Sequence, residues 1–326
     1  MEMLGPYQLS GGLASQSGFS VWGFGQKGGR EYFIKQFLSP KYPADDKVSS
    51  PERIAKLRRK CERFEQRKRA VYARLNFNSD GNAVRIEEFF RVDTKYYISM
   101  QKINAVHMDV EQIVAMPEPE RRFLCSVIAH AVAGLHKAGI VHADLKHDNV
   151  LFTRSRTGHL TAKVIDFDSG FLETDPPADG EEIIGDQIYF SPEACMTFMG
   201  MEPELTCKMD VFALGVLFHQ YYTGNLPGWD ESLGGCAGEA VARGGVATVS
   251  EDMPEDIHQL LTAMLDADPH KRPSAIEVFC KLTGRSVEDE VLAKPIAYVR
   301  PAETPAPATV AASTTEGNPF FTPGDL

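Results

Sequence analysis

The stretch IVHADLKHDNVLF, residues 140–152, is the feature that most limits what this chain can fold into. Its ends are apolar and typical of buried strands, whereas its middle holds His142, Asp144, Lys146, His147, Asp148 and Asn149. Burying so many polar groups without partners costs several kcal/mol. The stretch therefore predicts a loop with a chemical task, a candidate active site. We expect His142 to pack and hydrogen-bond, and His147 and Asp148 to face solvent.

The composition is that of a globular protein, with 326 residues of which 43% are hydrophobic and 24% charged. This length suits one large two-lobed domain or two smaller domains. The longest apolar run, Val211 to Phe218, is too short to span a bilayer, so we expect no membrane association. Six cysteines with no close pair in the sequence indicate reduced thiols and a cytoplasmic location.

The net charge of −11 argues against nucleic acid as a partner. The charge is uneven, because ten basic residues lie between Glu52 and Arg74 against three glutamates. The stretch from Asp166 to Asp186 is acidic and has no lysine or arginine. Two interpretations remain open, a solvated face for each run or mutual attraction between the two.

Strand patterns dominate the first hundred residues. The runs FSVWGF and EYFIKQF flank a QKGGR turn, and VRIEEFFRVDTKYYISMQKI predicts two more strands. Ser50-Pro51-Glu52 predicts the start of one long helix. From about Asp109 onward the pattern is mainly helical, and DVFALGVLFHQYYTG is apolar on nearly all sides, which indicates a buried helix.

These patterns predict an α+β fold with three regions. Residues 1–103 form a small β-rich lobe with one helix, and residues 104–285 form a larger, mainly helical lobe. Residues 286–326 are rich in proline, alanine and threonine, which predicts a disordered tail. The two lobes would leave a cleft between them, with the polar loop on its floor.

Hard oxygen donors follow one another closely in the second region. Asp144, Lys146 and Asn149 share one loop, and Asp166 ends a later apolar run. Two carboxylates and an amide suit Mg²⁺ rather than zinc. Upstream, Lys35 projects from an otherwise apolar strand, which suits a lysine that meets a phosphate.

Five motifs resemble those of the eukaryotic-like (Hanks-type) Ser/Thr protein kinase family, over roughly residues 7–284. HADLKHDN is similar to the family's HRDLKxxN, DFD to DFG, and SPE to APE. DVFALGV is similar to DVWSLGV, and DPHKRPS to DPxxRPS. The motifs occur in the family's order, so the resemblance implies a bilobal kinase fold with one αC helix in the N-lobe.

The resemblance implies roles for the polar residues. Asp144 would orient the acceptor hydroxyl or take its proton, and Lys146 would neutralise the transferring phosphoryl group. Asn149 and Asp166 would hold Mg²⁺, with Mn²⁺ as an alternative, against the phosphates of ATP. Glu193 and Arg272 would form an ion pair that anchors the activation segment.

The nucleotide would contact residues of the first region. Lys35 would grip the α- and β-phosphates. Its partner on the helix is expected to be Glu65, with Glu62 as the alternative, because counting back from Leu75 reaches Lys68, which has the wrong charge. The resemblance assigns the phosphate cover and the adenine contacts to Ala14, Ser17, Gly18, Val21, Met100 (as gatekeeper), Gln101 and Lys102.

The sequence departs from the family at three places. Ala14, Gln16 and Phe19 stand at the three glycine positions of G-x-G-x-x-G. Asp168 replaces the glycine of DFG. Ala143 replaces the arginine that clamps a phosphorylated activation loop, which makes the chain a non-RD type.

The missing arginine predicts activity without phosphorylation of the activation loop. Acidic side chains of the loop would instead meet the basic helix, the candidates being Glu173, Asp175, Glu181 and Glu182.

The resemblance implies an enzyme, a Ser/Thr protein kinase that transfers the γ-phosphoryl group of ATP to hydroxyls of protein substrates and of its own tail. Two alternatives are a pseudokinase that binds nucleotide as a regulatory module and, less favoured, a small-molecule phosphotransferase. The tail ends in GNPFFTPGDL, whose aromatic pair suits docking to a partner or to the kinase's own surface.

Overall fold

The structure is a computed structural model that describes residues 2–15, 21–44, 50–78, 81–155, 158–178 and 183–288. Within these ranges the chain divides into two compact units. The first holds the residues up to Phe64 together with Glu87–Lys102, and the second holds Glu65–Ile86 and the residues from Ile103 onward. The predicted region boundaries at residues 103 and 285 stay predictions.

A seven-stranded antiparallel sheet forms the first unit, in the order β1-β2-β4-β5-β7-β6 with β3 paired to β4. Its strands are β1 (Met3–Leu4), β2 (Tyr7–Leu9), β3 (Ala14–Ser15), β4 (Val21–Lys27), β5 (Arg30–Gln36), β6 (Glu88–Val92) and β7 (Lys95–Gln101). Tyr7, Ile34 and Tyr97 are buried in its core.

The hairpin between β4 and β5 shows why the strands pair as they do. Gly28 and Gly29 both have positive φ, +57° and +76°, and Lys27 pairs with Arg30. A two-residue turn of this kind needs left-handed backbone at both positions, which glycine adopts at no steric cost. The predicted QKGGR turn is confirmed, and it fixes the register that sets Lys35 opposite Trp22.

The long helix α1 runs from Pro51 to Asn78. Ser50 caps it, since its Oγ accepts a hydrogen bond from the amide of Arg53 at 3.3 Å. Phe64 packs edge-on against Phe37 and Phe89 in the first unit, with ring centroids 5.2 and 6.0 Å apart. Phe64 therefore packs the helix against the aromatic side chains of the first unit, and the residues from Glu65 onward belong to the other unit.

Helices make up most of the second unit. They are α2 (Val110–Val114), α3 (Glu118–Lys137), α4 (Pro192–Phe198), α5 (Lys208–Thr223), α6 (Ala237–Ala242), α7 (Glu255–Met264) and α8 (Ala275–Thr283). Its strands are β8 (Ile140–Val141), β9 (Val150–Arg154), β10 (Leu160–Val164) and β11 (Phe171–Leu172), paired β9 with β10 and β8 with β11. The predicted α+β class is confirmed.

Helix α5 is buried along nearly its whole length, as its apolar sequence predicts. It ends at Gly224, whose φ of +77° is the left-handed conformation of a helix C-cap. None of the helices in the described ranges combines the length and the apolar character that crossing a bilayer requires.

Candidate active site

The polar loop lies between β8 and β9, and a buried carboxylate holds its backbone. Asp210, in the first turn of α5, accepts hydrogen bonds from the amides of His142 at 2.8 Å and Ala143 at 2.9 Å. His136 Nε2 lies 2.9 Å from the same carboxylate. Ala143 has a φ of +64°, which costs a non-glycine residue about 1–2 kcal/mol. The two amide bonds to Asp210 hold the loop in that conformation.

The pKa of Asp210 is lowered although the residue is fully buried. Burial alone raises the pKa, but the hydrogen bonds from His136 and from the amide of His142 outweigh it. Asp210 is therefore a carboxylate in the folded protein, and its charge strengthens each hydrogen bond that it accepts.

His142 packs and hydrogen-bonds within the loop. Its Nδ1 accepts from the amide of Asp144 at 3.3 Å, so its Nε2 carries the proton and donates to the carbonyl of Ile165 at 2.9 Å. Its ring packs on Phe167 with centroids 5.0 Å apart. The predicted packing and hydrogen-bonding role is confirmed.

The expectation that His147 faces solvent is wrong. Its Nδ1 lies 3.1 Å from the hydroxyl of Tyr221 in α5, and its Nε2 lies 3.0 Å from the carbonyl of Met108. Both partners are distant in sequence, which is why the loop sequence alone did not reveal them. Asp148 is exposed, as expected.

The carboxylate of Asp144 is held from two sides. Its Oδ2 accepts from the side-chain amide of Asn149 at 2.9 Å, and its Oδ1 accepts from the backbone amide of Asp186 at 2.9 Å. Lys146 Nζ lies 3.6 Å from Oδ1. Only 13% of the Asp144 side chain is exposed. The loop thus presents a fixed carboxylate with a lysine ammonium beside it.

Asp186 is a member of this cluster that the sequence reasoning did not assign. Its Oδ2 lies 3.9 Å from Lys146 Nζ. The neighbouring Gly185 is required, because a Cβ there would lie 3.0 Å from the carbonyl of Ala143 and 3.1 Å from Asp144 Oδ1. The sequence signal for Asp186 lies in GDQIYF, residues 185–190. Asp186 stands there at the position where the kinase pattern GTPxYM usually has threonine.

Asn149 and Asp166, the residues predicted to hold a metal ion, lie on adjacent segments. The amide of Ile165 donates to the carbonyl of Asn149 at 3.0 Å, which brings the residue before Asp166 beside Asn149. The Asn149 side-chain nitrogen points to Asp144, so its Oδ1 is the acceptor end. This amide oxygen and the Asp166 carboxylate are hard donors that fit Mg²⁺.

The described residues contain no group of three or more acidic, histidine or cysteine side chains arranged to hold a metal ion. A two-residue set fits Mg²⁺ all the same, because Mg²⁺ in phosphate sites is usually bound by one or two carboxylates together with phosphates and water.

A lysine of α1 contacts the segment that follows Asp166. Lys68 is 7% exposed, and its Nζ donates to the carbonyls of Phe167 and Gly170 at 3.4 Å each and to that of Asp168. The positive charge of Lys68 argued against it as a partner for Lys35. No sequence motif marks a contact with backbone carbonyls.

The predicted phosphate-binding lysine, Lys35, lies in β5 opposite Trp22 of β4 and Ile98 of β7. Of its two candidate partners on α1, Glu65 is partly buried and Glu62 is exposed. The ion pair of Lys35 with either glutamate stays a prediction.

The predicted adenine contacts fall at the end of β7. Met100 is 8% exposed and Gln101 is the last residue of the strand. The amide of Lys102 donates to the carbonyl of Glu31 at 3.1 Å. This backbone donor is therefore already hydrogen-bonded within the first unit.

Of the predicted phosphate cover, Ala14 and Val21 lie in the paired strands β3 and β4. Ser17 and Gly18 lie outside the described residues. Their contact with phosphates stays a prediction.

The expected attraction between the basic helix and the acidic segment is confirmed at one ion pair. Arg67 donates from Nε and Nη2 to the two carboxylate oxygens of Asp175, both at 3.1 Å, and from Nη2 to the carbonyl of Pro176 at 3.0 Å. Glu173 instead accepts from the amide of Cys207 at 2.8 Å. Glu181 and Glu182 lie outside the described residues.

The expected ion pair that anchors the segment 183–193 is present. Arg272 Nη1 and Nη2 donate to the two carboxylate oxygens of Glu193 at 2.7 and 3.0 Å. Both side chains are buried, and the guanidinium lies 5.0 Å from the ring of Phe212 in α5.

A family model described as the protein kinase domain matches residues 51–282, more than half of the chain. The chain belongs to the protein kinase family. The resemblance based on the five motifs is thereby confirmed, and the fold has the strand-rich and helical parts that this family implies.

Curated relatives carry the names of kinases. Calcium-dependent protein kinase 8 of Arabidopsis thaliana is 27% identical over 265 residues, which cover 79% of this chain and 48% of that protein. Calcium-dependent protein kinase 11 of Oryza sativa subsp. japonica is 32% identical, over 48% of this chain and 26% of that protein. The ovarian-specific serine/threonine-protein kinase Lok of Drosophila melanogaster is 31% identical, over 52% and 38%. Each match spans less than half of the relative's length.

Replacing Asp210 by Asn should lower the free energy of unfolding by about 3 kcal/mol, because hydrogen bonds to a buried charge are lost. The folded-state pKa lies below the usual 3.8, so this contribution is complete above about pH 5 and is lost as the pH falls through 3.8 toward the folded value. Urea unfolding between pH 7 and pH 3 measures both effects.

Asp256→Asn is the matched control for this prediction. Its carboxylate pairs with Arg122 at 2.6 Å but its side chain is 62% exposed, so the same change should cost about 1 kcal/mol or less. Equal losses for the two variants at pH 7 would contradict the role given to Asp210.

Proposed function

We propose that this chain is an ATP-dependent Ser/Thr protein kinase that transfers the γ-phosphoryl group to protein hydroxyls. The observation that carries the proposal is the clamped Asp144 carboxylate, fixed by Asn149 and the amide of Asp186 with Lys146 beside it. Membership of the protein kinase family and relatives named as serine/threonine kinases support it.

Asp144 orients the acceptor hydroxyl and takes its proton as the phosphoryl group transfers. A fixed carboxylate suits this role because a base must lie within hydrogen-bond reach of the proton it accepts. Lys146 lies on the same side as Asp144 Oδ1, where its ammonium stabilises the negative charge that develops on the transferring group.

Asn149 and Asp166 would hold the divalent ion, Mg²⁺ or Mn²⁺. That ion supplies positive charge against the phosphates of ATP. The residues of the first unit would hold the nucleotide, with Lys35 at the α- and β-phosphates and Glu65 as its partner. The contacts proposed for the phosphate cover and the adenine are those of Ala14, Ser17, Gly18, Val21, Met100, Gln101 and Lys102, the last through its carbonyl because its amide donates to Glu31.

Asp144→Asn should reduce γ-phosphoryl transfer to a generic protein substrate by at least about 100-fold, because the general base is lost. Asp148→Asn is the control, since Asp148 is exposed in the same loop and the same change there should leave the rate within about twofold. Transfer of labelled phosphate from γ-labelled ATP measures both.

Thermal stabilisation by ATP with Mg²⁺ separates the alternatives. A wild type that is stabilised but transfers no phosphate would be a nucleotide-binding regulatory module. Transfer to small molecules alone would indicate a small-molecule phosphotransferase. Equal labelling by wild type and Asp144→Asn would contradict the proposed mechanism.

We also propose that activity does not require phosphorylation of the activation loop. The support is the bidentate ion pair of Arg67 with Asp175, in which a carboxylate takes the place that a phosphate on the loop would have. The third bond, from Arg67 to the carbonyl of Pro176, holds the backbone on the far side of Asp175. A phosphate on the neighbouring Thr174 would add charge at a segment that is already held.

Thr174→Ala should therefore leave the transfer rate within about threefold, whereas Arg67→Gln should lower it by roughly tenfold because the segment loses its partner. Arg63→Gln is the control, since Arg63 is exposed one turn earlier on α1. Initial rates with protein freed of phosphate by a phosphatase provide the measurement. A hundredfold loss in Thr174→Ala would contradict the proposal.

Autophosphorylation and docking are proposed for the tail, which lies outside the described residues beyond Glu288. Its hydroxyl residues are Thr304, Thr309, Ser313, Thr314, Thr315 and Thr322. The aromatic pair Phe320-Phe321 near the end would dock to a partner. For the location we propose the cytoplasm. All six cysteines are free thiols, which supports a reducing compartment.

Deleting the last ten residues should weaken capture of a docking partner and reduce phosphorylation of the docked substrate, while transfer to a short generic peptide stays within about twofold because Asp144 and Lys146 are untouched. Replacing Phe320 and Phe321 by serine in the full chain is the finer test of the aromatic pair. Unchanged partner capture and substrate phosphorylation in the deletion would remove the docking proposal.

A further inference from the structure

Lys68 of α1 makes an unusual set of contacts for a buried lysine. Its Nζ reaches three backbone carbonyls, those of Phe167, Asp168 and Gly170, within the four residues that follow Asp166. An ammonium group has three donors and no acceptor, so carbonyl oxygens are suitable partners for it. Burying a charge without such partners would cost several kcal/mol. The contacts explain how Lys68 can be 7% exposed.

The segment that Lys68 holds has a demanding backbone. Asp166 has a φ of +64°, in the left-handed region that costs a non-glycine residue of order 1–3 kcal/mol. Gly170 closes the turn, and a Cβ there would lie 3.2 Å from the carbonyl of Phe167 and 3.3 Å from that of Val141. Such a conformation persists only where its surroundings hold it. Three hydrogen bonds from one ammonium supply that restraint.

Tyr72, one turn after Lys68 on α1, faces the same segment. Burial raises its pKa well above the usual 10, and the negative charges of Asp168 and Asp166 raise it further. Tyr72 therefore stays protonated. This face of α1 thus brings one cation and one neutral phenol to the segment that carries Asp166.

We propose that Lys68 is a positioning residue that fixes the backbone from Phe167 to Gly170 and thereby sets the Asp166 carboxylate for the divalent ion. The proposal rests on the proposed function, since it assigns Asp166 to the metal. It explains why position 68 holds a lysine, although counting back from Leu75 by the family pattern predicts a glutamate there. A carboxylate there would face three carbonyl oxygens and could not bond to any of them.

The test compares Lys68→Glu, Lys68→Met and Lys68→Arg with Lys60→Glu and Lys60→Met in the full chain. Lys60 lies exposed on the same helix, so the controls make the same changes of residue and charge away from the segment. Lys68→Glu, which introduces the residue type of the family, should lose at least about 100-fold in transfer rate, because displacing a metal ligand by about 1 Å costs that much. Lys68→Arg should retain the most activity, since it keeps a cation.

Two readouts separate positioning from general stability. Hydrogen exchange in the protein without nucleotide should be faster at the amides of residues 167–170 in Lys68→Met, with exchange in α5 unchanged. The Mg²⁺ concentration for half-maximal stabilisation by ATP should rise at least about tenfold in Lys68→Met, which corresponds to about 1.4 kcal/mol. Binding of ATP in the presence of a chelator should not change.

The outcomes for Lys68 and for the proposed function are distinct. Equal exchange at residues 167–170 in Lys68→Met and Lys60→Met would overturn the role of Lys68, whatever the activity of the chain. Faster exchange throughout the second unit together with an unchanged Mg²⁺ requirement would also overturn it, because it would show a structural role only. A wild type without phosphate transfer would contradict the kinase proposal alone, since the exchange and Mg²⁺ readouts need no turnover.

Discussion

The rest of the candidate site depends on one buried carboxylate, that of Asp210. Helix α5 is almost wholly enclosed by the second unit, so its first turn is a rigid support. From there Asp210 accepts the amides of His142 and Ala143, and so determines the path of the chain into Asp144. The left-handed conformation of Ala143 turns that path. The backbone geometry of this loop is therefore set by hydrogen bonds to a core element, and the positions of Asp144, Lys146 and Asn149 follow from it.

Helix α1 acts as the second support, through two neighbouring residues with different chemistry. Lys68 is buried and binds the backbone after Asp166 by three carbonyls. Arg67 lies nearer the surface and binds the side chain of Asp175 by both its oxygens. An ammonium suits several carbonyls arranged around a point, whereas a planar guanidinium suits a carboxylate. The concentration of basic residues on this helix thus includes two that have specific partners in the segment 167–176.

Much of this architecture was predictable because its determinants are local in the sequence. Asp144 and Asn149 share one loop, so the spacing alone placed them together, and the Gly28-Gly29 turn followed from the glycine pair. The contacts of Lys68 were not predictable, because their acceptors are carbonyls, which every residue has. The position of His147 depends on Tyr221, more than seventy residues later. Sequence patterns identify candidate functional side chains, but they do not show which backbone groups or rings distant in the sequence will contact them.

The bond between Arg67 and Asp175 has a consequence for how such a chain would carry information. A phosphate on an activation segment is added by a kinase and removed by a phosphatase, so its presence depends on earlier signalling. The carboxylate of Asp175 is encoded in the sequence and no phosphatase removes it. Under the proposed activation without a phosphate on this segment, the output of the chain would follow the number of copies made and the substrates within reach.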